Sequence, residues 1–478
     1  MKLRELLDGI SIVKTNADMN MEIGTVAYDS RKVVPGSMFV AITGFAADGN
    51  RFIPMALEKG AAVVVTARKP EADFPYVLVE SDRLALALIG ANFYGHPAKS
   101  MTMVGITGTN GKTSSTLLLK HVLETVRGAK VGLIGTMENL IGDIVIPTER
   151  TTPESFELQC LFAQMRDAGC DCVVMEVSSH ALSLERVGGV QYDVAAFTNL
   201  TEDHLDFHGT MESYCDAKAE LFARCDKAVF NCDDPWFDRM TSRCSCPMLT
   251  TSVAGAGSLQ AKDVQLHSDG VTFTSVAGAQ TVQVALPIPG KFTVHNALTV
   301  LGIALQLGIS LEDAANALKT ARGVKGRVEV VPTPGKPYTV LIDYAHTPDG
   351  LENVLSSVKD FCKGRLIAVF GCGGDRDRTK RPIMGKIGAS IADIAIITSD
   401  NPRTEVPMDI IRDIVAGLPE NTKNYEVIEN RIDAIHHAMD IGQKNDIIVL
   451  AGKGHETYQE ICGVKHHLDE REVVAQYL

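Results

Sequence analysis

Several features are absent from this 478-residue sequence, and each absence excludes a class of protein. No uninterrupted apolar run reaches the roughly 20 residues that a membrane-spanning helix needs, so we expect no membrane insertion. The eleven cysteines form no C-x-x-C pair and accompany no paired histidines, which excludes the common zinc motifs and predicts reduced, mostly buried thiols. The net charge of −13 disfavours nucleic-acid binding, because that function needs a basic face.

The composition that is present is ordinary for a globular protein, with 45% hydrophobic and 22% charged residues. Residues 1–8 mix acidic and basic side chains without a long apolar centre, so we expect no secretory signal and a cytoplasmic location. A chain of this length is too long for one hydrophobic core and predicts roughly three domains.

The most informative segment is Val104–Thr113, Val-Gly-Ile-Thr-Gly-Thr-Asn-Gly-Lys-Thr. It follows a strand-like apolar run and opens a helical pattern that ends near Val126, which is the context of a phosphate-binding loop. Its glycines let backbone N–H groups approach phosphate oxygens, Lys112 supplies a positive charge, and the Thr113 hydroxyl can bind Mg²⁺. The strict motif has a glycine where Ile106 stands, so this is a variant loop. It predicts ATP binding; the alternative is a glycine-rich turn in an ordinary β–α unit.

Strand and helix patterns predict a small α/β domain over residues 1–98, ended by His96-Pro97. A central α/β domain over residues 99–331 contains the phosphate loop and apolar strands typical of a parallel sheet buried on both faces. Inside it, Ser268-Asp269-Gly270 predicts a hairpin and hence a β-rich insertion.

Residues 332–478 are predicted to form a third domain. The turn-rich segment Pro332–Pro337 is interpreted as a stiff linker and a pivot for domain closure, and beyond it strands and helices alternate regularly. This alternation predicts a doubly wound, Rossmann-like parallel sheet.

Polar clusters follow four predicted strands of this third domain. Because ligands of open α/β sheets bind at the carboxyl ends of the strands, four clusters there predict a site, although any single one would be a solvated loop. The clusters are Asp343-Tyr344-Ala345-His346, Gly371-Cys372-Gly373-Gly374-Asp375-Arg376, Ser399-Asp400-Asn401-Pro402-Arg403 and Gly452-Lys453-Gly454-His455-Glu456.

Two strand ends of the central domain carry candidate metal ligands, Glu176 and His204. Mg²⁺ prefers carboxylate and water oxygens, so Glu176 suits it better than His204 does. The alternative for His204 is a structural, hydrogen-bonded histidine.

Taken in order, these motifs resemble the Mur ligases, ATP-dependent amide-bond ligases of peptidoglycan precursor synthesis. The resemblance covers essentially the whole chain and, by the ordered set of motifs, is specific. The matching segments are Tyr28-Asp29-Ser30-Arg31, Gly108-Thr109-Asn110-Gly111-Lys112-Thr113, Thr151-Thr152-Pro153, Glu176–His180, Asn199–His208, His295-Asn296, Gly326-Arg327, Asp343–Asp349 and the Gly371, Asp400 and Gly452 clusters.

The resemblance implies roles for individual residues. It places Gly108, Thr109, Asn110, Gly111, Lys112, Thr113, Asn296, Arg327 and Asp343 on ATP, and Thr113, Glu176, His204 and Lys218 at Mg²⁺. It implies that Lys218 is carbamylated, with Lys112, Lys218 and His204 as catalytic residues. It assigns the UDP-muramoyl dipeptide to Ser30, Thr151, Thr152, Ser178 and Arg186, and the incoming amino acid to Arg376, Asp400, Asn401, Arg403, Gly452 and Glu456.

The resemblance leaves two of its own points open. Leu184 stands where some relatives have a glutamine that contacts the substrate, so the chain departs from the family pattern at this position. Without the resemblance, Lys218 would be interpreted as a surface residue on a predicted amphipathic helix over residues 212–224.

The implied activity joins a diamino acid to the D-glutamate of the dipeptide through an acyl phosphate, with small molecules as the expected partners. Arg403 supplies a cation for a second carboxylate on the amino acid, which favours meso-diaminopimelate over lysine; the alternative for Arg403 is a helix-entry or surface ion-pair residue. A lysine-adding relative and a folylpolyglutamate synthase remain as alternatives, although the latter does not explain the first domain.

Other classes fit less well. A GTPase would need Asn-Lys-x-Asp, and no Asn-Lys pair occurs. A dinucleotide-dependent oxidoreductase would need a glycine where Arg376 stands in the Gly371 cluster. A non-catalytic nucleotide-binding scaffold would not need Lys112, Glu176, His204 and Lys218 together.

Overall fold

The computed structural model describes residues 1–44, 48–71, 73–148 and 150–478, and the chain divides into two compact units. The first unit is Met1–Leu259 with Thr299–Ala314, and the second is Gln260–Leu298 with Ala315–Leu478. Within the described ranges, no helix is both long and apolar enough to cross a membrane. The cysteines are all free, five of them are buried and Cys462 is exposed. The fold is mixed α/β with several largely parallel sheets, which confirms the predicted fold class.

The N-terminal part of the first unit contains a five-stranded sheet of order β1-β5-β4-β3-β2, in which only β1 runs antiparallel to its neighbour. Its valine-rich strands are largely buried. The elements are α1 Leu3–Leu6, β1 Ile12–Thr15, β2 Thr25–Ala27, β3 Ser37–Val40, α2 Ile53–Glu58, β4 Ala61–Thr66, β5 Tyr76–Val79 and α3 Asp82–Phe93.

The rest of the first unit is built on parallel strands in the order β13-β12-β11-β6-β10-β7, followed by two antiparallel strands, β8 and β9. The strand before the phosphate loop, β6, lies between β10 and β11, so the residues after these three strands meet at one edge. The elements are β6 Thr102–Thr107, α4 Lys112–Arg127, β7 Val131–Ile134, β8 Asn139–Ile141, β9 Ile144–Ile146, α5 Ser155–Asp167, β10 Cys172–Glu176, α6 Ser179–Ser183, β11 Val194–Phe197, α7 Leu205–His208, α8 Met211–Ala219, β12 Ala228–Asn231, α9 Phe237–Met240 and β13 Met248–Ser252.

The predicted β-rich segment forms three strands, and the expected hairpin turn lies at Ser268-Asp269, between β14 and β15. Gly270 begins β15, where Val271 pairs with Leu286 of the third strand, and a Cβ on Gly270 would lie 2.3 Å from the Leu286 carbonyl oxygen, so this position requires glycine. The elements from here to the third sheet are β14 Leu259–His267, β15 Gly270–Ala277, β16 Gln280–Leu286, α10 Lys291–Gln306 and α11 Leu311–Leu318.

The second unit contains a six-stranded sheet of order β17-β18-β22-β19-β20-β21, parallel except for the edge strand β17. Helices α12 to α14 contribute to the core on one face, and α15 and α16 to the core on the other, as expected of a doubly wound sheet. The elements are β17 Glu329–Val331, β18 Thr339–Asp343, α12 Pro348–Lys359, β19 Leu366–Phe370, α13 Lys380–Ile391, β20 Ile394–Ile397, α14 Pro407–Val415, β21 Tyr425–Val427, α15 Arg431–Ile441, β22 Ile447–Ala451, β23 Tyr458–Ile461, β24 Val464–His467 and α16 Glu470–Gln476.

The interpretation of Pro332–Pro337 as a linker and pivot is wrong. Val331 at the end of β17 pairs with Val340 in β18, so the proline-rich segment is the loop of an antiparallel hairpin inside the third sheet. A loop between two hydrogen-bonded strands cannot serve as a hinge between domains. The predicted domain boundaries themselves stay predictions.

A buried ion pair joins the two C-terminal helices of this sheet. Arg431 at the start of α15 lies 2.8 Å from Glu470 at the start of α16, and both side chains are almost completely inaccessible. Arg431 also donates to the Ala451 carbonyl oxygen at 2.9 Å, at the end of β22. Removing the cation would leave the Glu470 carboxylate buried without its partner.

We therefore predict that Arg431→Met lowers the free energy of unfolding by about 3–5 kcal/mol, the usual cost of an uncompensated buried charge. Denaturant titration followed by circular dichroism measures the change. The control is Arg412→Met, which removes an exposed arginine paired with Asp409 and is expected to cost less than about 1 kcal/mol. Equal losses for the two variants would contradict the prediction.

Candidate active site

The phosphate loop, Gly108–Thr113, connects β6 to α4, and its shape depends on glycine. Gly108 and Gly111 adopt φ of +149° and +84°, and a Cβ on Gly108 would lie 1.9 Å from the Thr198 hydroxyl oxygen. Lys112 begins α4 and its Nζ donates to the carbonyl oxygens of Gly108 and Thr109 at 2.9 and 2.8 Å. The lysine charge thus lies over the loop, where phosphate oxygens would bind.

The loop is held from the end of β11 by Thr198 and Asn199. The Asn110 N–H donates to Asn199 Oδ1 at 2.9 Å, the Thr198 hydroxyl donates to the Asn110 carbonyl oxygen at 2.7 Å, and the Thr109 N–H donates to the Asn199 carbonyl oxygen at 2.8 Å. These two residues were not predicted as site residues. Their position directly after a buried strand beside β6 was the available signal.

Glu176 ends β10 and is buried beside the loop. Its carboxylate accepts hydrogen bonds from the Thr113 hydroxyl at 2.9 Å and from the backbone N–H and hydroxyl of Thr136 at 2.9 and 3.0 Å. Carboxylate and hydroxyl oxygens side by side are the donors that Mg²⁺ prefers, so these residues fit that ion. Among the described residues, however, no three His, Cys, Asp or Glu side chains form a ready-made metal site.

Lys218 lies in the last turn of α8 and is only 2% exposed, so its interpretation as a surface residue is wrong. Its Nζ donates to the Gly108 carbonyl oxygen at 2.9 Å and lies 4.7 Å from the centre of the Tyr214 ring. Burial, and then the charge of Lys112, lower the pKa of Lys218 well below its ordinary value. This downward pKa shift favours the neutral amine of Lys218 over its ammonium form.

His204 begins α7 with a left-handed backbone, φ +53°, and is close to two other histidines. Its ring centre lies 4.8 Å from that of His180, and His208 Nε2 lies 2.9 Å from the Ser179 hydroxyl. Burial, and then the nearby His180, lower the pKa of His208 to about 4, so this ring is neutral at pH 7. The role of His204 at a metal stays a prediction.

Four of the five residues predicted to bind the UDP-substrate converge beside Glu176. The Thr152 hydroxyl donates to the Glu176 carbonyl oxygen at 2.9 Å and to Ser178 Oγ at 3.4 Å, while Arg186 donates to the Thr152 carbonyl oxygen at 3.3 Å. The Thr151 and Thr136 hydroxyl oxygens are 3.0 Å apart.

Ser30 lies in the N-terminal part of the first unit, at the start of the 3-10 helix Ser30–Lys32. It lines a cavity of about 470 Å³ together with apolar, polar and charged side chains. A mixed lining of this kind suits a ligand that has both apolar and polar parts.

Asn296, Arg327 and Asp343 belong to the second unit, so their contacts with a nucleotide held by the phosphate loop stay predictions. Asp343 ends β18, and its carboxylate accepts from the N–H groups of Val328 and Ala345, both at 2.8 Å. Burial raises the pKa of this carboxyl.

The carboxyl ends of β20 and β22 bring together most of the residues predicted to bind the amino acid. Asn401 donates to Glu456 Oε2 at 2.9 Å, and Asp400 is buried next to them, while a Cβ on Gly452 would lie 3.0 Å from Asp400 Oδ2. Arg376 lies on the loop that follows β19, and its side chain is exposed.

Arg403 approaches the same cluster with φ +50°. Its Nη1 donates to the Gly374 carbonyl oxygen at 2.7 Å and its Nε lies 3.3 Å from Glu460 Oε2. Arg403 therefore forms an ion pair, as the alternative interpretation of this residue anticipated. Its two contacts also hold the guanidinium next to the loop that begins at Gly371.

Sequence reasoning missed two buried cations at this site, Lys453 and Arg381, both with fully buried side chains. Arg381 binds Glu405 at 2.7 Å and Asp413 at 2.9 Å, which holds the segment after Arg403 against α13. Lys453 lies inside one of the quoted glycine-rich clusters, and that position was the only signal for it.

Three family models match successive parts of the chain. The model of the Mur ligase family, catalytic domain, matches residues 22–96, that of the Mur ligase middle domain matches 106–304, and that of the Mur ligase glutamate ligase domain matches 326–454.

Curated relatives match along the full length. A protein of Clostridium botulinum named UDP-N-acetylmuramoyl-L-alanyl-D-glutamate--2,6-diaminopimelate ligase is 48% identical, over 98% of this chain and 97% of its own length. A Clostridium acetobutylicum protein of the same name, numbered 1, is 46% identical over 100% of this chain and 99% of its own.

A solved structure described by the same enzyme name superimposes with a TM-score of 0.79 at 31% identity, covering 100% of this chain and 98% of that one. With the motifs, the site geometry and these full-length matches together, the chain belongs to the Mur ligase family.

Proposed function

We propose that this protein is an ATP-dependent ligase that joins meso-2,6-diaminopimelate to UDP-N-acetylmuramoyl-L-alanyl-D-glutamate during peptidoglycan precursor synthesis. The observation that carries the proposal is the full-length match, at 46–48% identity, to two relatives that bear this enzyme's name. The polar cluster of Asp400, Asn401, Arg403 and Glu456 supports the same substrate, because it combines a cation with acids and an amide.

The first step has to bring two anions together. The γ-carboxylate of the substrate's D-glutamate attacks the γ-phosphate of ATP, forming an acyl phosphate and releasing ADP. Lys112, held over the phosphate loop by two carbonyl oxygens, is placed to neutralise the transferring phosphate. Backbone N–H groups of the loop, kept in place by Asn199, orient the phosphates.

A magnesium ion would be held by Thr113 and Glu176, whose oxygens are already adjacent. When bound, it supplies Lewis-acid neutralisation of the phosphate charge. Thr136, which donates to both oxygens of Glu176, orients this carboxylate toward the loop.

Lys218 is suited to carbamylation because its amine is buried and burial shifts its pKa downward, toward the neutral form. The neutral nitrogen attacks carbon dioxide, an N–C bond forms, one proton leaves, and the neutral amine is replaced by a carbamate anion with two hard oxygens. Such a group could bind a second magnesium ion, which an amine or ammonium could not.

In the second step the amino acid's amine attacks the acyl carbon and phosphate leaves, which forms the amide. Arg403 and Arg376 would bind the carboxylate at the non-reacting end of diaminopimelate, while Asn401 and Glu456 would face its ammonium. Lysine lacks that carboxylate and would leave Arg403 without its ligand.

Phosphate release from ATP, measured with the UDP-muramoyl dipeptide and each candidate amino acid in turn, tests the proposal. Mass spectrometry of the product identifies the amino acid that is added. A lysine adduct would favour the lysine-adding alternative. Turnover with a folate substrate in place of the UDP-muramoyl dipeptide would favour a folylpolyglutamate synthase, the alternative that does not explain the first domain.

Lys112→Met is predicted to lower kcat at least about 1,000-fold, because it removes the charge that stabilises the transferring phosphate. Steady-state phosphate release measures the loss. Lys120→Met is the matched control: Lys120 lies on the same helix, is buried, and pairs with Glu124 away from the loop. A kcat for Lys112→Met close to that of the control would contradict the assignment of the loop.

Lys218 is predicted to carry a carbamate. In buffer enriched in ¹³C-bicarbonate, carbon NMR should show one carbamate signal that disappears in Lys218→Ala and persists in the exposed-site control Lys227→Ala. Lys218→Ala should be nearly inactive and partly rescued by small carboxylic acids that replace the missing oxygens. Full activity in carbon-dioxide-depleted buffer, without a carbamate signal, would exclude this role.

Diaminopimelate is predicted to be preferred over lysine by about 100-fold in kcat/KM, because lysine lacks the carboxylate that would form charge-assisted hydrogen bonds with Arg403, worth about 1.5–3 kcal/mol. Arg403→Ala should lose most of this preference, whereas Arg412→Ala, at an exposed position on α14, should keep it. Equal kcat/KM values in the unmodified protein, or a lysine preference that persists in Arg403→Ala, would refute the assignment of Arg403.

A further inference from the structure

Lys453 is a lysine that the proposed reaction does not use, yet it is completely buried at the carboxyl end of β22. It stands between Gly452 and Gly454, with φ of +118° and +53°, and a Cβ on Gly454 would lie 2.5 Å from the Tyr344 Cβ. The backbone therefore needs glycine at this turn, and the turn keeps the lysine inside the protein. A buried ammonium is costly unless it has partners, so its contacts deserve an explanation.

Three polar side chains surround the Lys453 ammonium. Nζ donates to Asn401 Oδ1 at 2.9 Å and to Glu456 Oε2 at 3.4 Å. It also lies 3.1 Å from Asp400 Oδ1, but that oxygen is not aligned for a hydrogen bond. The ammonium thus balances the charge of Asp400 while its hydrogen bonds go to Asn401 and Glu456.

These contacts fix the orientation of the Asn401 amide. Its oxygen accepts from Lys453 Nζ and from the Glu460 N–H, both at 2.9 Å, and its nitrogen donates to Glu456 Oε2 at 2.9 Å. An amide flipped by 180° would place its NH₂ group against two donors. Lys453 therefore helps to hold both Asn401 and Glu456 in one arrangement.

The charges of the cluster do not cancel completely. Arg431 pairs with Glu470, and Arg403 pairs with Glu460. Lys453 alone faces both Asp400 and Glu456, which leaves one negative charge in excess. Burial would raise the pKa of Asp400, but the charges of Lys453 and Arg431 outweigh it and keep that pKa below its ordinary value. Glu456, at 17% exposure, is the acid of the three that solvent reaches best.

We infer that Lys453 is a positioning residue of the amino-acid site, which neutralises Asp400 and fixes Asn401 so that Glu456 presents one excess negative charge to the ammonium of the incoming diamino acid. The inference rests on the proposed function, and Lys453 acts through its neighbours without touching the substrate. Loss of its charge should weaken amino-acid binding and leave the other two substrates unaffected.

The test is Lys453→Met, assayed with all three substrates. We expect the KM for diaminopimelate to rise at least about 20-fold, because the acids and the amide lose their common partner, with the KM for ATP and for the UDP-muramoyl dipeptide within about twofold. If this variant fails to fold, Lys453→Gln is assayed instead and judged by the same criteria. Its shorter side chain keeps a neutral hydrogen-bond donor.

Arg365→Met is the matched control, since Arg365 pairs with Asp446 at 2.6 Å next to the opposite ends of β19 and β22. It removes a cation from the same sheet and is expected to lower the thermal midpoint without changing the KM for diaminopimelate. A general loss of structure would raise all three KM values in both variants and overturn the inference.

A double-mutant cycle separates positioning from a merely structural role. If Lys453 acts through Glu456, the KM of Lys453→Met with Glu456→Gln should be close to that of the worse single variant, whereas independent effects would multiply. A multiplied KM, or a KM unchanged in Lys453→Met, would refute the inference. The product formed by the unmodified protein tests the proposed function separately. If the protein adds a different amino acid, the same KM ratios can be measured with that amino acid, so the two tests can fail independently.

Discussion

Two lysines meet at one carbonyl oxygen, and much of the proposed chemistry depends on this contact. Lys112 and Lys218 both donate to the Gly108 oxygen at 2.9 Å, so two ammonium groups would repel each other there. Lys218 is fully buried, and burial, followed by the charge of Lys112, lowers its pKa well below the ordinary value. A neutral amine can become a carbamate, and the repulsion then turns into attraction because an anion lies beside the Lys112 cation. The glycine that makes this approach possible also brings the loop against Thr198, where no side chain fits.

Parallel sheets explain why the functional residues collect where they do. In the first unit, β6 lies between β10 and β11, so the phosphate loop, Glu176 and Asn199 come together although they are far apart in sequence. In the second unit, β22 lies between β18 and β19, and the residues after β20 and β22 form the charged cluster. The same rule of topology therefore builds two clusters of different chemistry: one holds a lysine over a glycine-rich loop, and the other brings acids, an amide and cations together.

Sequence patterns were sufficient to predict the parts of the fold that a continuous apolar strand or a glycine-rich loop determines locally. Helix α4 ends within a residue of the expectation, because amphipathic helices have strong periodicity. Short edge strands were missed: β17 has three residues, and without it the following prolines resembled a linker. The burial of Lys218, Lys453 and Arg381 could not be read from sequence either, since a charged residue on a helix or loop is usually exposed and only tertiary packing decides otherwise.

The buried cations of the second unit have a cost in free energy of folding. Arg381, Arg431 and Lys453 have fully buried side chains, and each must recover its desolvation cost from acids held at fixed distances. Apolar side chains of similar volume would in many proteins be at least as stable, so stability alone does not account for this arrangement. Fixed charges in a buried setting do give a ligand with separate ammonium and carboxylate groups partners that need little reorganisation on binding. Arg381 holds Glu405 behind Arg403, while Lys453 holds Asn401 beside Glu456, so the cationic and anionic halves of the cluster each have a buried ion pair that fixes them.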